Sequence, residues 1–111
     1  MSAHRRVAIV GAGYAGLTLA LGLAKKTRGF EVALYEQAPF LTEVGAGVAI
    51  AGPAVHALRA LGIDLEPLAS LPVARQLRRW KDGRLLSVQE YGWRYHEMVG
   101  APYPTLHRAT L

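Results

Sequence analysis

The chain has 111 residues and a formal net charge of +5, and 51% of its residues are hydrophobic against 19% charged. This length suits one small domain, and the composition excludes a disordered chain. The sequence contains no cysteine, which excludes disulfides, thiol catalysis and thiolate metal sites and fits a reducing cytoplasm. The basic residues are dispersed and are not interleaved with aromatic ones, so nucleic-acid binding is not indicated.

The first predicted element is a buried β-strand over residues 5–10, and a glycine-rich turn follows it directly. Gly11 permits a tight turn out of the strand, and Gly13 lets the backbone come close to a pyrophosphate. Gly16 lets the following helix pack closely on the strand. The segment therefore predicts a nucleotide-binding turn, although a glycine-rich turn in an ordinary βαβ unit is the alternative.

The next predicted element is a helix over residues 14–27, which Gly29 ends. Its first amides, including those of Tyr14 and Ala15, have no partners within the helix and are expected to point at phosphate groups. Four apolar residues at helical spacing predict the buried face, namely Leu17, Ala20, Leu21 and Ala24.

The uncharged run over residues 7–24 also resembles a signal peptide or a marginal membrane span. Phosphate binding explains the spacing of its glycines, and no convincing cleavage site precedes Lys25. We therefore interpret the run as a strand and a helix, and we predict neither export nor membrane association.

The second strand is predicted over residues 31–35, parallel to the first, and it leads directly to Glu36. A carboxylate about 20 residues after the glycine motif is typical of dinucleotide-binding folds, where it accepts hydrogen bonds from the ribose hydroxyls. The negative charge of Glu36 also argues against a 2′-phosphate at this site. Gln37 is a second candidate for contact with the cofactor.

The following segment is predicted to contain a loop over residues 37–44 and a short strand over residues 47–51. Pro53 suits the first position of a helix, and Gly62 suits the position just past its end. Val55, Leu58 and Leu61 give this helix an apolar stripe. Residues 64–72 are predicted to form a loop with a short helix around residues 65–69.

The last third of the chain is predicted to begin with a hairpin over residues 73–88, with a two-residue turn at Asp82 and Gly83. Residues 91–104 are expected to be irregular, and residues 105–111 run from an extended segment into a helix start. The whole pattern predicts an α/β fold: a partial Rossmann-like dinucleotide-binding fold with an incomplete doubly wound sheet.

Four segments in this order resemble one known family. They read VGAGYAGL, VALYEQ, EVGAGVAIAGPAVHALRALG and LHRATL, and they are similar to the N-terminal part of the FAD-dependent aromatic hydroxylases of the salicylate and hydroxynicotinate type. The first two segments fit many flavin or NAD enzymes, whereas the third and fourth are more specific. The resemblance covers essentially the whole chain.

The resemblance implies FAD as the cofactor and assigns roles to individual residues. Gly11, Gly13 and Gly16 would line the pyrophosphate, and Glu36 would bind the adenosine ribose, with Gln37 beside it. The stretch over residues 45–49 would pass near the flavin ring, with Gly47 and Val48 as contacts, and Val48 is the most favoured backbone contact. Arg108 would reach the FAD ribose or phosphates, where its fork of donors fits phosphate oxygens.

The resemblance also implies an activity for the intact enzyme. NAD(P)H would reduce the flavin, and O₂ would be used to hydroxylate a small aromatic substrate. Some family members have a histidine where Ala49 stands, so a role that depends on that histidine is not expected here. The later motifs of the family have no counterpart in the chain, so we expect residues 1–111 to be the N-terminal part of an FAD-binding domain and to be inactive alone. An unfinished sheet predicts self-association or a complementing chain.

Two other classes of function stay open from the sequence. One is an NAD-binding oxidoreductase module, and the other is a non-catalytic nucleotide-binding protein or one that completes a partner chain. A truncation of a longer protein is a further explanation of the length. No metal site is predicted, because the four histidines share no ligand spacing. The aromatic-rich stretch of Tyr91, Trp93, Tyr95 and Tyr103 is expected to pack a loop on the core or to face a missing domain rather than to cover a ligand.

Overall fold

A computed structural model of the chain describes residues 5–26, 28–39 and 47–111. These residues belong to two compact units, Met1–Glu43 and Val44–Leu111. Within the described ranges no helix is long and apolar enough to cross a membrane.

The first unit contains the predicted βαβ arrangement. Strand β1 spans Arg5–Val10, helix α1 spans Tyr14–Lys26 and strand β2 spans Phe30–Tyr35. The two strands pair in parallel, with Ile9 opposite Leu34, so the predicted strands, helix and pairing are confirmed within one residue at each boundary. The predicted burial of β1 is wrong, because Ile9 is its one buried residue. Thr27, the last residue of the predicted helix, lies outside the described residues.

The prediction for the buried face of α1 is only half correct. Leu17 and Ala20 are partly buried as predicted, whereas Leu21 and Ala24 are exposed. The helix approaches the strand at Gly16, so the partly covered face runs through Gly16, Ala20 and Leu23, at positions i, i+4 and i+7.

The face of the β1–β2 sheet that contains the even-numbered residues of β1 is exposed throughout. It consists of Arg6, Ala8, Val10, Glu31, Ala33 and Tyr35. Val10, the last residue of β1 before the glycine-rich turn, is 87% exposed. Parallel sheets are normally covered on both faces, so this face is an unusually exposed apolar surface.

The second unit is built around a short antiparallel sheet and a compact apolar core. Strand β3 spans Gly47–Ala49 and helix α2 spans Gly52–Ala60. Helix α2 confirms the predicted helix, and Gly62 follows it as predicted, whereas β3 ends two residues before the predicted strand ends. The core consists of Ile50, Val55, Leu65, Ala101 and Leu106.

The 3₁₀ turn Glu66–Leu68 confirms the predicted short helix. A hairpin follows this turn. Its strands are β4, Ala74–Arg78, and β5, Leu85–Glu90, and all their residues are exposed. The predicted two-residue turn is wrong, because that turn needs positive φ at Asp82. Only Gly83 adopts positive φ there, at 72°. The Arg79 amide donates to the Arg84 carbonyl over 2.8 Å, so four residues lie in the turn.

The expectation of an irregular segment over residues 91–104 is also wrong, because helix α3 spans Trp93–Val99. Gly92 and Gly100 flank this helix. Because glycine disfavours helix, the sequence pattern indicates an irregular segment there. Tyr91 and Tyr103 stack with ring centroids 3.9 Å apart, and Tyr95 meets both rings edge-on. The three tyrosines therefore pack the segment together, whereas Trp93 is 70% exposed.

The chain ends in strand β6, Thr105–His107, followed by a 3₁₀ turn over Arg108–Thr110. Both features were predicted as an extended segment leading into a helix start. Strand β6 pairs antiparallel with β3, and Leu106 lies opposite Val48. Leu106 is buried and Val48 packs against the core, so this pairing fixes β3 in the second unit.

Candidate cofactor site

The glycine-rich segment over residues 11–16, called the glycine turn below, leaves β1 in the geometry that the sequence predicts. Gly11 has a φ of 97°, which an L-residue with a side chain adopts only with strain. Its amide donates to the Tyr35 carbonyl over 2.6 Å. The turn is therefore attached to the end of β2 from its first residue.

Gly13 and Gly16 differ in what surrounds them. A Cβ atom at Gly16 would overlap the Gly11 carbonyl and come within 3.3 Å of the Ile9 side chain. The helix can therefore approach the strand only because Gly16 has no side chain. A Cβ at Gly13 would meet no atom within 4 Å, so the space beside this residue is open to a ligand.

Helix α1 begins at the glycine turn rather than before it. The Leu17 amide donates to the Gly13 carbonyl over 2.9 Å. The amides of Ala15 and Gly16 precede this bond, so the i→i−4 ladder does not use them. Together with the positive end of the helix dipole, such amides favour a bound anion.

Glu36 follows β2 directly, and its carboxylate reaches back to the glycine turn. Oε2 accepts a hydrogen bond from the Ala12 amide over 2.7 Å. Oε1 accepts one from the Ala38 amide over 2.9 Å. The acid therefore lies at the mouth of the turn, where the sequence places the ribose acceptor. Sequence reasoning missed the two amides, because backbone donors leave no signal in residue type.

These hydrogen bonds keep Glu36 charged. Donation from the Ala38 and Ala12 amides lowers the pKa of the Glu36 carboxyl below its ordinary value. An ionised carboxylate has about four acceptor positions, more than the hydrogen bonds from the Ala12 and Ala38 amides fill. The side chain can therefore still accept hydrogen bonds from a pair of ribose hydroxyls, while Gln37 lies exposed beside it.

Three further candidate residues belong to the second unit. Gly47 and Val48 lie in β3, and Gly47 pairs with His107, the neighbour of Arg108. Arg108 is exposed at the start of the last 3₁₀ turn. The β3–β6 pairing thus brings these three residues into one region, although they are about 60 positions apart in the sequence. Gly45 and Ala46 lie outside the described residues.

Two histidines of the described part of the chain lie within hydrogen-bond distance of backbone groups. The His56 ring nitrogen Nε2 lies 2.8 Å from the Val99 carbonyl oxygen at the end of α3, so this histidine has a structural partner. His107 Nδ1 accepts a hydrogen bond from the Ala109 amide over 3.4 Å. No group of three or more histidines and acids within the described ranges could hold a metal ion.

Comparison with known proteins identifies the family. Residues 6–101 match the family model described as FAD dependent oxidoreductase. The chain belongs to this family. FAD is accordingly the cofactor of the family, and the resemblance to FAD-dependent aromatic hydroxylases is confirmed.

Two curated relatives and one solved structure illustrate the similarity. A 3-amino-4-hydroxybenzoate 2-monooxygenase of Streptomyces platensis is 40% identical over 114 residues, which cover 100% of this chain and 28% of the relative. A 6-hydroxynicotinate 3-monooxygenase of Pseudomonas fluorescens is 36% identical over 110 residues, covering 97% and 28%. The crystal structure of Klebsiella pneumoniae HpxO, complexed with FAD and uric acid, has a TM-score of 0.75 at 22% identity.

The structural match covers 98% of this chain and 27% of HpxO, and it confirms the predicted Rossmann-like fold. The chain thus spans little more than a quarter of the length of these proteins, and it corresponds to their N-terminal part.

Proposed function

We propose that the chain forms the N-terminal, FAD-binding region of a flavin-dependent monooxygenase, and that its first unit binds the ADP half of the cofactor. The observation that carries this proposal is the Glu36 carboxylate at the mouth of the glycine turn, 2.7 Å from the Ala12 amide. The open space at Gly13 and the family match support it further. A plain NAD-binding module fits less well, because the matched family uses FAD.

The contacts proposed for the first unit are supported by its geometry, and those proposed for the second unit are supported by the family resemblance. Gly11 and Gly13 allow the pyrophosphate to approach the backbone, and the amides at the start of α1 bind it, including those of Tyr14, Ala15 and Gly16. Glu36 accepts from the ribose hydroxyls, with Gln37 beside it. In the second unit, Gly47 and Val48 offer backbone contacts to the flavin half, and Arg108 offers its guanidinium to the ribose or phosphates.

FAD supplies the redox and oxygen-transfer chemistry when it is bound, and the residues of this chain bind and orient it. In the intact enzyme the substrate is a small aromatic compound, and NAD(P)H and O₂ are the co-substrates. This part of the proposal is supported by the names of the relatives, which include monooxygenases of aminohydroxybenzoate and hydroxynicotinate. A cytoplasmic location, compatible with the absence of cysteine, completes it.

Residues 1–111 are proposed to be the N-terminal part of an FAD-binding domain and to be inactive alone. The exposed apolar face of the β1–β2 sheet further supports pairing with a second copy or with a complementing chain. Sedimentation of the purified chain is expected to show association that increases with concentration. A monomer at high concentration, or turnover of a phenolic acid with NAD(P)H and O₂, would contradict this part of the proposal.

A flavin titration tests the cofactor site. FAD is expected to bind the purified chain more tightly than FMN, since FMN lacks the adenosine half that the first unit would contact. Glu36→Lys is expected to weaken FAD binding by about tenfold or more through loss of the ribose acceptor. Glu31→Lys, on the preceding strand β2 and also exposed, makes the same charge change and should leave the affinity unchanged. Equal affinities for FAD and FMN, or equal effects of the two variants, would contradict the proposal.

A further inference from the structure

We propose that Glu36 is a positioning residue as well as a ribose acceptor, and that its carboxylate holds the glycine turn in the binding conformation before any nucleotide arrives. This inference rests on the proposed cofactor site. It adds a role that the ribose contact does not require, because the groups involved are backbone amides of the protein itself.

The carboxylate joins two segments that are far apart in the sequence. Oε2 accepts from the Ala12 amide, 24 positions away, while Oε1 accepts from the Ala38 amide two positions further along the chain. Ala12 is one of the buried residues of the first unit, at 9% exposure. One side chain thus connects the centre of the glycine turn to the segment that follows β2.

This connection continues the pairing of the parallel strands beyond their ends. The Gly11 amide donates to the Tyr35 carbonyl over 2.6 Å, and the next amide, that of Ala12, donates to the side chain of the next residue, Glu36. Two successive amides of the turn are therefore held by two successive residues at the end of β2. The amides from Gly13 onward lie beyond these two, at the helix start proposed for the phosphates.

Because the turn is held in advance, less conformational entropy is lost when a ligand binds. The role requires two acceptor oxygens on one side chain. A glutamine has only one acceptor oxygen, so it cannot give a separate oxygen to each amide. Glu36→Gln should therefore release one of the two segments even though the side chain keeps its length.

Hydrogen exchange without nucleotide is the first arm of the test. In the wild-type chain the Ala12 and Ala38 amides should be protected, and Glu36→Gln should raise the exchange rate of at least one of them by about tenfold. The matched control is Glu31→Gln, which removes the same charge from β2 and should leave both rates unchanged. Glu36→Asp keeps two acceptor oxygens on a shorter chain and should lie between wild type and Glu36→Gln.

The second arm compares ADP with 2′,3′-dideoxy-ADP, which lacks both ribose hydroxyls. If Glu36 positions the turn, Glu36→Gln should weaken binding of the dideoxy compound by about tenfold, even though the lost negative charge would by itself favour a diphosphate. Unchanged amide exchange, or equal affinity of wild type and Glu36→Gln for the dideoxy compound, would overturn the inference. Failure of the wild-type chain to bind either nucleotide would instead overturn the proposed cofactor site, and the inference with it.

Discussion

Different interactions stabilise each of the two compact units of the chain. Among the described residues of the first unit, the buried ones are Ile9 and Ala12. Its geometry depends on parallel strand pairing, on Gly16 and on the carboxylate of Glu36. The second unit has a contiguous apolar core with side chains from two strands, a helix and loops.

This difference separates stability from the proposed binding function. Burial of apolar surface is the main source of folding free energy, so substitutions in the second unit should act mainly on stability. Substitutions in the first unit should act mainly on the shape of the glycine turn. Substitutions in each unit test this contrast.

The largest expected effect is on the core of the second unit. Leu106 is 5% exposed, so Leu106→Ala should lower the free energy of unfolding by about 2–5 kcal/mol through lost burial and a cavity. Leu86→Ala, in the exposed hairpin, removes the same atoms from a half-exposed side chain and should change stability by less than about 0.5 kcal/mol. Urea denaturation followed by circular dichroism measures both. Equal losses of unfolding free energy would show that the apolar core does not dominate the stability of this unit.

A smaller effect on stability is expected in the glycine turn. Substitution of one glycine there should affect folding, and substitution of another should affect binding. Gly16→Ala places a Cβ against the Gly11 carbonyl and should destabilise the first unit by about 1–3 kcal/mol. Gly13→Ala meets no protein atom within 4 Å, so it should leave the fold intact and weaken ADP binding. Amide exchange in β1 and β2, with an ADP titration, measures the two effects. A Gly13→Ala variant as unstable as Gly16→Ala would remove the distinction.

The smallest expected effect is the pH dependence that Glu36 contributes. Amide donors lower the pKa of this carboxyl in the folded chain below its ordinary value of 4.5. The linked stability should therefore be fully present above the unfolded pKa and should be lost as the pH falls through the folded pKa. The stability difference between wild type and Glu36→Gln should be constant near pH 7 and shrink below about pH 4.5. A difference that stays constant throughout acid denaturation would contradict this assignment.

Much of the fold could be predicted from the sequence because local signals and tertiary structure agree. Strand β1, the start of α1 and the end of α2 each coincide with a glycine or an apolar pattern that has one physical explanation. The predicted ribose acceptor also lies where the parallel pairing brings the end of β2 beside the turn. Such features depend on residues that are close in sequence or on the obligatory geometry of a βαβ unit.

The parts that could not be predicted depend on contacts between distant residues. Helix α3 is stabilised in a segment where Tyr91 stacks on Tyr103, and the Tyr95 hydroxyl accepts a hydrogen bond from the Gly52 amide over 3.1 Å. No local pattern encodes these contacts. The bonds from the Ala12 and Ala38 amides to Glu36 were missed for a related reason, because their donors are backbone groups of residues whose side chains are only methyl groups.

A two-dimensional ¹H–¹⁵N spectrum of the wild-type chain during addition of ADP tests directly whether the glycine turn binds the nucleotide. The largest shifts are expected on the amides of Gly13, Ala15 and Gly16 and on those flanking Glu36, and they should saturate together with one dissociation constant. Shifts that are absent from the glycine turn, or that are confined to the second unit, would contradict binding at this turn.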